Sequence, residues 1–162
     1  YEQKPTSPSY QDRLYLNDGK GGFGPAPAGT LPNFLKSGSC VKAADFDRDG
    51  DLDLFIGGRV VPERYPEPTS CFILRNDSKK AAAKFTDATA QLAPGLKNIG
   101  LVCDALWTDY DGDGWQDLLV VGEWMTPTFF KNEKGIFNRA ANRSQFSILN
   151  SQLKGWWNSL AA

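Results

Sequence analysis

The chain contains no histidine, so the commonest general base and metal-ligating side chain is missing from its 162 residues. Its three cysteines, Cys40, Cys71 and Cys103, form neither a CxxC pair nor a zinc spacing. Buried free thiols are therefore predicted, with a single disulfide as the less favoured alternative. No apolar run is long enough for a transmembrane helix, and we expect no direct insertion into a membrane. Basic residues do not cluster as in a nucleic-acid-binding surface, so we expect no nucleic-acid partner.

What the chain has in abundance is turn-forming and aromatic residues. It contains 16 glycines and 10 prolines, and 12% of its residues are aromatic. No segment shows a strong helical period. These features favour an all-β protein with many turns, and the length allows one sizeable core.

One acidic motif, D-x-D-x-D-G-x-x-D-L, occurs at residues 45–54 and again 64 residues later at 109–118. The two copies contain nine of the 19 acidic residues, so the rest of the chain has ten acidic residues, against 18 basic residues in the whole chain. Carboxylates at alternate positions of a tight loop can converge on a hard divalent cation such as calcium, which takes six to eight oxygen ligands. Gly50 and Gly114 stand where the loop must reverse sharply.

Two other interpretations of this motif are weaker. An EF-hand needs a glutamate at position twelve and flanking helices, but Ile56 and Val120 stand there and the following runs resemble buried strands. Two solvated acidic turns are the plainer alternative. They would crowd four or five repelling carboxylates into nine residues without a cation.

A longer repeat surrounds the acidic motif. Asn17, Asn76 and Asn132 each follow an apolar run and precede a second run that contains phenylalanine, which is typical of a β-hairpin. Their spacing indicates a unit of about 60 residues, as in repeat arrays. The predicted strands, named A to D within a unit, are 39–44, 53–58, 71–75 and 84–88, then 102–108, 117–122, 128–131 and 136–140, preceded by strands C and D at 13–17 and 23–27.

These residues resemble the FG-GAP/VCBS repeat family, whose blades also form the propeller head of integrin α-subunits. The strongest parts are DFDRDGDLDLFIGG at 45–58 and DYDGDGWQDLLVVG at 109–122. The strings LYLNDGKGGF, CDALWTDYDGDG and GWWNSL are similar to bacterial VCBS proteins related to the cartilage acidic protein. The resemblance implies a β-propeller segment built from four-stranded antiparallel blades, with a calcium-binding loop between strands A and B.

The resemblance also implies the ligands of two Ca²⁺ sites and a division of the chain. The ligands would be Asp45, Asp47, Asp49, the carbonyl of Asp51 and Asp53, and then Asp109, Asp111, Asp113, the carbonyl of Trp115 and Asp117. Strands C and D of one blade would occupy 1–30, complete blades 31–93 and 94–145, and strand A of a further blade 146–162. We therefore expect a propeller fragment, whose partners are the remaining blades or other subunits.

A second candidate site lies in the connections between strands B and C, which reach the propeller face opposite the acidic loops. Arg59, Arg64 and Tyr65 in the first connection and Glu123 and Trp124 in the second offer hydrogen-bonding and stacking groups for a protein or glycan ligand. Stiffening of the first connection by its prolines, and packing of Trp124 between blades, are the structural alternatives.

The functional prediction is a calcium-stabilised propeller segment of an extracellular or cell-surface binding or adhesion protein, without catalysis of its own. The alternatives are part of a polysaccharide-active enzyme and a purely structural scaffold. Convergence of Arg59, Arg64 and Glu123 in a pocket would favour the enzyme. A flat face with exposed aromatic residues would favour binding.

Overall fold

A computed structural model describes residues 4, 7–79, 82–140, 155–156 and 158–160. The fold is all-β and its sheets are antiparallel. It begins with a hairpin of β1 (Tyr15–Asn17) and β2 (Phe23–Pro25). The described helices are short: α1 (Thr89–Leu92) and the 3-10 turns Pro8–Tyr10 and Pro94–Leu96. None of the helices in the described ranges is long and apolar enough to cross a membrane.

The first sheet contains four strands in chain order. They are β3 (Ser37–Ala44), β4 (Asp53–Val60), β5 (Phe72–Asn76) and β6 (Phe85–Asp87). Each strand pairs with the next, as the alternation of apolar runs and turn residues predicts.

The second sheet repeats this order. Its strands are β7 (Leu101–Thr108), β8 (Asp117–Met125), β9 (Thr128–Glu133) and β10 (Ile136–Arg139). A further short strand, β11 (Gly155–Trp156), pairs with the carboxyl end of β8. The predicted strands are thus confirmed within a few residues at each end. The described strands form a four-stranded sheet, a five-stranded sheet and a hairpin, with no closed ring among them.

Residues 146–154, 157 and 161–162, which carry most of the predicted further strand A, lie outside the described residues. The division of the chain into blades at 30, 93 and 145 stays a prediction.

The main core lies between the two sheets. Because side chains alternate along a strand, Phe55 and Ile73 of the first sheet point into this core, and their neighbours Ile56 and Leu74 belong to a cluster on the opposite face. Phe46, directly after β3, is fully buried in the main core, where its ring packs edge-on against Phe137 with centroids 5.3 Å apart. The first sheet is therefore covered on both faces.

The acidic segments 45–53 and 109–117 are called loop 1 and loop 2 below. Loop 1 connects β3 to β4, and loop 2 connects β7 to β8. Both sheets therefore present their acidic loop at the same end of the strands. The connections after β4 and β8 emerge at the opposite end, roughly 20 Å away for strands of this length.

Candidate metal centre

Loop 1 and loop 2 have the same backbone turn. Positions four and six adopt left-handed conformations in both, with φ of 65° at Arg48 and 94° at Gly50, and of 75° at Gly112 and 85° at Gly114. Glycine takes these angles without a steric cost, whereas Arg48 does not. The sequence pattern identified position six as the sharp turn, and the structure adds position four.

Side chains of the loops fix this turn by accepting backbone hydrogen bonds. The carboxylate at position one accepts from the N–H at position six: Gly50 to Asp45 is 3.1 Å and Gly114 to Asp109 is 2.8 Å. Carboxylates at positions three and five accept in the same way from the N–H two residues later, at 2.9–3.3 Å in both loops. The alternate spacing of the aspartates is thus explained locally, since each one closes a small turn.

These turns bring carboxylates together. One oxygen from each of Asp45, Asp47 and Asp49 lies within 4.8 Å of the others, and the same holds for Asp109, Asp111 and Asp117. Both groups can hold a metal ion through oxygen ligands. Of the other predicted ligands, Asp51 has an exposed side chain, as expected for a residue that offers only its carbonyl.

The ninth position of each loop is the first residue of an inner strand, and its carboxylate is fully buried. Asp53 accepts a hydrogen bond from the N–H of Asn76 (2.8 Å), and Asp117 accepts one from Asn132 (2.7 Å). Within the described part of the chain, Oδ2 of Asp53 and Oδ1 of Asp45 are buried and have no hydrogen-bond partner. Buried carboxylate oxygens need a partner. A cation held by loop 1 would supply one to both.

Burial also perturbs the acidity of these groups. Desolvation raises the pKa of Asp53 to about 7, and nearby carboxylates add to the effect. Burial raises the pKa of Asp117 and of Asp47 as well. Burial therefore disfavours the ionised form of these three carboxylates in the protein alone.

The two loops differ in their basic neighbours. Lys131 on β9 contacts Asp111 and lies 3.1 Å from Asp113. Arg75, at the corresponding place on β5, instead pairs with Asp77 at 2.8 Å. Loop 2 thus has an internal counter-charge at two of its carboxylates. Asp113, one of the predicted ligands, pairs with this lysine and is not in the converging group.

Loop 1 also contacts loop 2 directly. The guanidinium of Arg48 lies 4.3 Å from the ring centroid of Trp115 and donates to the carbonyl of Gly114. The ring of Trp115 thus contacts loop 1, while its backbone remains at the predicted ligand position.

The repeated asparagines have a role that the sequence pattern does not show. The side chain of Asn132, fully buried, donates to the carbonyls of Phe46 (2.8 Å) and Gln116 (3.0 Å) and accepts from the N–H of Gly135 (2.7 Å). It therefore ties its own hairpin to both acidic loops. Asn76 makes the corresponding bond to Leu52 of loop 1 at 3.1 Å. The recurrence of asparagine at one spacing was visible, but its partners were not.

The second candidate site is assembled in part. Arg59 forms an ion pair with Glu123 across the two sheets. The hydroxyl of Tyr65 donates to Glu123 (3.3 Å), and the indole N–H of Trp124 donates to Tyr65 (2.9 Å). Arg64 does not join them, because it pairs with Glu67 at 2.6 Å. Trp124 is 58% exposed, so its ring does not pack between the two described sheets, and its packing against a further blade stays the structural alternative.

The cysteines are free thiols, as predicted. Cys71 is fully buried, and burial raises its pKa to about 12.

Comparison with known families identifies the first repeat. A model described as the FG-GAP-like repeat matches residues 6–56, a stretch that includes the first hairpin, β3 and loop 1. Residues 6–56 are thus similar to an FG-GAP-like repeat. The second sheet, outside the matched residues, repeats the strand order of the first sheet and the turn geometry of loop 1. No curated protein and no solved structure matches the chain.

Proposed function

We propose that this chain is a calcium-stabilised segment of a β-propeller, within an extracellular or cell-surface protein that binds other molecules and has no catalysis of its own. The observation that carries the proposal is the doubled loop. Both copies have the same left-handed positions and the same carboxylate-to-backbone bonds, and converge three carboxylates on one point.

The donor set favours calcium. The converging atoms are carboxylate oxygens, and the chain offers no histidine and no cysteine among them. Hard cations prefer such ligands, and calcium accepts the irregular geometry of a flexible loop better than magnesium does. The residues that would hold the two ions are Asp45, Asp47, Asp49, the carbonyl of Asp51 and Asp53 in loop 1, and Asp109, Asp111, Asp113, the carbonyl of Trp115 and Asp117 in loop 2.

Bound calcium would neutralise the crowded carboxylates and fix the turns between the inner strands. In loop 1 it would also partner the buried oxygens of Asp45 and Asp53. In loop 2 it would compete with Lys131 for Asp111 and Asp113. This role is structural, since the ion would join each acidic loop to the start of an inner strand.

The propeller assignment has two supports. The strand order of each sheet is that of a four-stranded blade, and the two sheets pack face to face through one apolar core. The FG-GAP-like repeat at 6–56 is the second support. The partners of this segment are accordingly further blades or other subunits that cover its remaining faces.

The side chains at the end of β4 and β8 opposite the acidic loops favour a binding role over catalysis. Arg59 and Glu123 neutralise each other, while Arg64 pairs elsewhere, so the three groups do not converge as an enzyme site would require. Two exposed aromatic side chains, Tyr65 and Trp124, lie beside them. Millimolar calcium outside the cell would keep loops of this kind filled, which supports an extracellular location.

The proposal is tested by thermal unfolding of the whole protein in calcium, in magnesium and in chelator. A ligand that binds only the folded state stabilises it by RT ln(1 + [L]/Kd). We expect the melting temperature to rise with calcium concentration, and to rise less with magnesium. A melting temperature that is the same in calcium and in chelator would contradict the proposal.

A further inference from the structure

Arg59, Tyr65, Glu123 and Trp124 form a cluster at the end of the strands opposite the acidic loops. Arg59 and Glu123 stand 64 residues apart, at the same position of the two repeats, and each follows a glycine. A Cβ on Gly58 would lie 2.3 Å from the carbonyl oxygen of Ser70, and one on Gly122 would lie 2.1 Å from that of Leu101. The backbone is packed tightly there, so it holds the following side chains at fixed places.

The polar atoms of the cluster are connected in a line. The indole N–H of Trp124 donates to the hydroxyl oxygen of Tyr65, that hydroxyl donates to Glu123, and Glu123 pairs with Arg59. Glu123 is only 6% exposed. The polar ends of both aromatic rings are therefore bound within the protein. Tyr65 and Trp124 nevertheless remain 51% and 58% exposed, so much of what they present to solvent is apolar ring surface.

The backbone at Trp124 indicates that the ring position is maintained at a cost. Its φ of 56° is left-handed, a conformation that suits glycine and strains a bulky residue. Strain of this kind persists where the surrounding structure fixes it, and it is concentrated at ligand-binding sites. The strained residue here is also the most exposed member of the cluster.

Charge and hydrogen bonding limit what this surface can bind. Glu123 is neutralised by Arg59, so the cluster has no free charge to attract a cation or an anion. Nη1 of Arg59 is buried, but the Arg59 side chain as a whole is 35% exposed, so its accessible part can donate to an acceptor beside the rings. A ligand that fits has an apolar face for the rings and uncharged hydroxyl groups at its edge. A neutral pyranose has this combination.

We propose that Tyr65 and Trp124 form a stacking platform for a neutral saccharide, one of whose hydroxyl groups accepts a hydrogen bond from the exposed part of Arg59. The inference deepens the proposed binding role by naming the ligand class, and it does not depend on calcium. Trp124 would supply most of the contact surface. Tyr65 would add a second ring and hold the carboxylate of Glu123 in place.

The test is binding of the labelled whole protein to an array of immobilised neutral gluco-, galacto-, manno- and xylo-oligosaccharides, with anionic oligosaccharides alongside. We expect binding to neutral members, and a loss of about tenfold in affinity for Trp124→Gly. Glycine suits the left-handed backbone at this position, so the variant should melt no lower than the parent protein. Tyr65→Phe, which keeps the ring and removes the bond to Glu123, should weaken binding less than Trp124→Gly does.

Phe23→Ala is the matched control, because Phe23 is an aromatic residue that is 67% exposed outside the cluster. It should bind like the parent protein. Binding to anionic members alone, to no saccharide, or to a protein instead of a saccharide would overturn the inference. So would a Trp124→Gly variant that binds as the parent does. A protein that fills both calcium loops and binds no saccharide would overturn this inference and leave the calcium proposal intact.

Discussion

Three asparagines at one repeat position allow a graded test of how the hairpins are tied to the acidic loops. Asn132 is fully buried and makes three side-chain hydrogen bonds. Asn76 is half-buried and makes two, to Leu52 and from Ser78. Asn17 is exposed and accepts one, from Gly19 at 2.8 Å. We consider the three variants in which one of these asparagines is replaced by alanine.

The expected losses follow from the groups left without partners. A buried polar group deprived of its hydrogen bond costs about 1–3 kcal/mol, whereas water replaces the bond at an exposed site. Asn132→Ala leaves two carbonyl groups and one N–H without a hydrogen-bond partner. It should therefore lower the free energy of unfolding by about 3–5 kcal/mol. Asn76→Ala should cost about 1 kcal/mol and Asn17→Ala less than about 0.5 kcal/mol. Asn132→Asp keeps the acceptor for Gly135 but loses both donated bonds and buries a charge, so it should also be strongly destabilised.

The assay is urea unfolding of the whole protein at one fixed calcium concentration, followed by far-ultraviolet circular dichroism. If the dependence of the unfolding free energy on urea concentration is unchanged, the shift in midpoint reports a change in stability alone. Similar losses of stability for all three alanine variants would show that the buried hydrogen bonds of Asn132 do not stabilise the fold. So would a loss below about 1 kcal/mol for Asn132→Ala, because its three buried partners would then be satisfied in another way.

Three further predictions concern ionisable groups. The pKa of Asp53 is raised to about 7, so in chelator the folded protein binds one more proton than the unfolded chain between about pH 4 and 7. The free energy of unfolding should therefore fall as the pH rises through this window. Urea midpoints that rise from about pH 5 to 7 would contradict this. With both loops saturated with calcium this dependence should disappear, because Asp53 is then ionised in both the folded and the unfolded protein over this window. Lys131 pairs with a carboxylate of loop 2, so Lys131→Gln should strengthen calcium binding there in a calorimetric titration and lower the melting temperature in chelator. Arg75→Gln is the control and should change calcium affinity less, because Arg75 pairs with Asp77 outside the loop. Cys71, with a pKa of about 12, should be the last thiol alkylated at pH 8, and early modification seen by mass spectrometry would disprove its burial.

Local patterns in the sequence were sufficient to place most strands. Apolar runs bounded by glycine, proline and asparagine gave β4 at 53–58, which the structure extends to Asp53–Val60. The doubled acidic spacing likewise identified both loops, since the aspartates at positions one, three and five each accept from a backbone N–H within five residues. Such short-range relations can be read from spacing.

Relations between the sheets could not be read in this way. The bond from Asn132 to Phe46 joins residues 86 positions apart, and the pair of Arg59 and Glu123 spans 64 positions. Such contacts depend on how the two sheets pack, which no local period encodes. The left-handed backbone at Arg48 could not be predicted either, because position four holds an arginine in loop 1 and a glycine in loop 2, so the two loops share no residue type that marks this angle. The sequence predicted Arg64 in the second site, but a neighbouring glutamate binds it instead.

Isothermal titration calorimetry of the whole protein measures whether loops 1 and 2 each hold one calcium ion. Asp47→Asn and Asp111→Asn should each lower the number of bound calcium ions by one, and the double variant should lower it by two. Each replacement removes a converging carboxylate charge at position three of its loop. An unchanged number of bound ions in the double variant, with the fold preserved, would contradict the account.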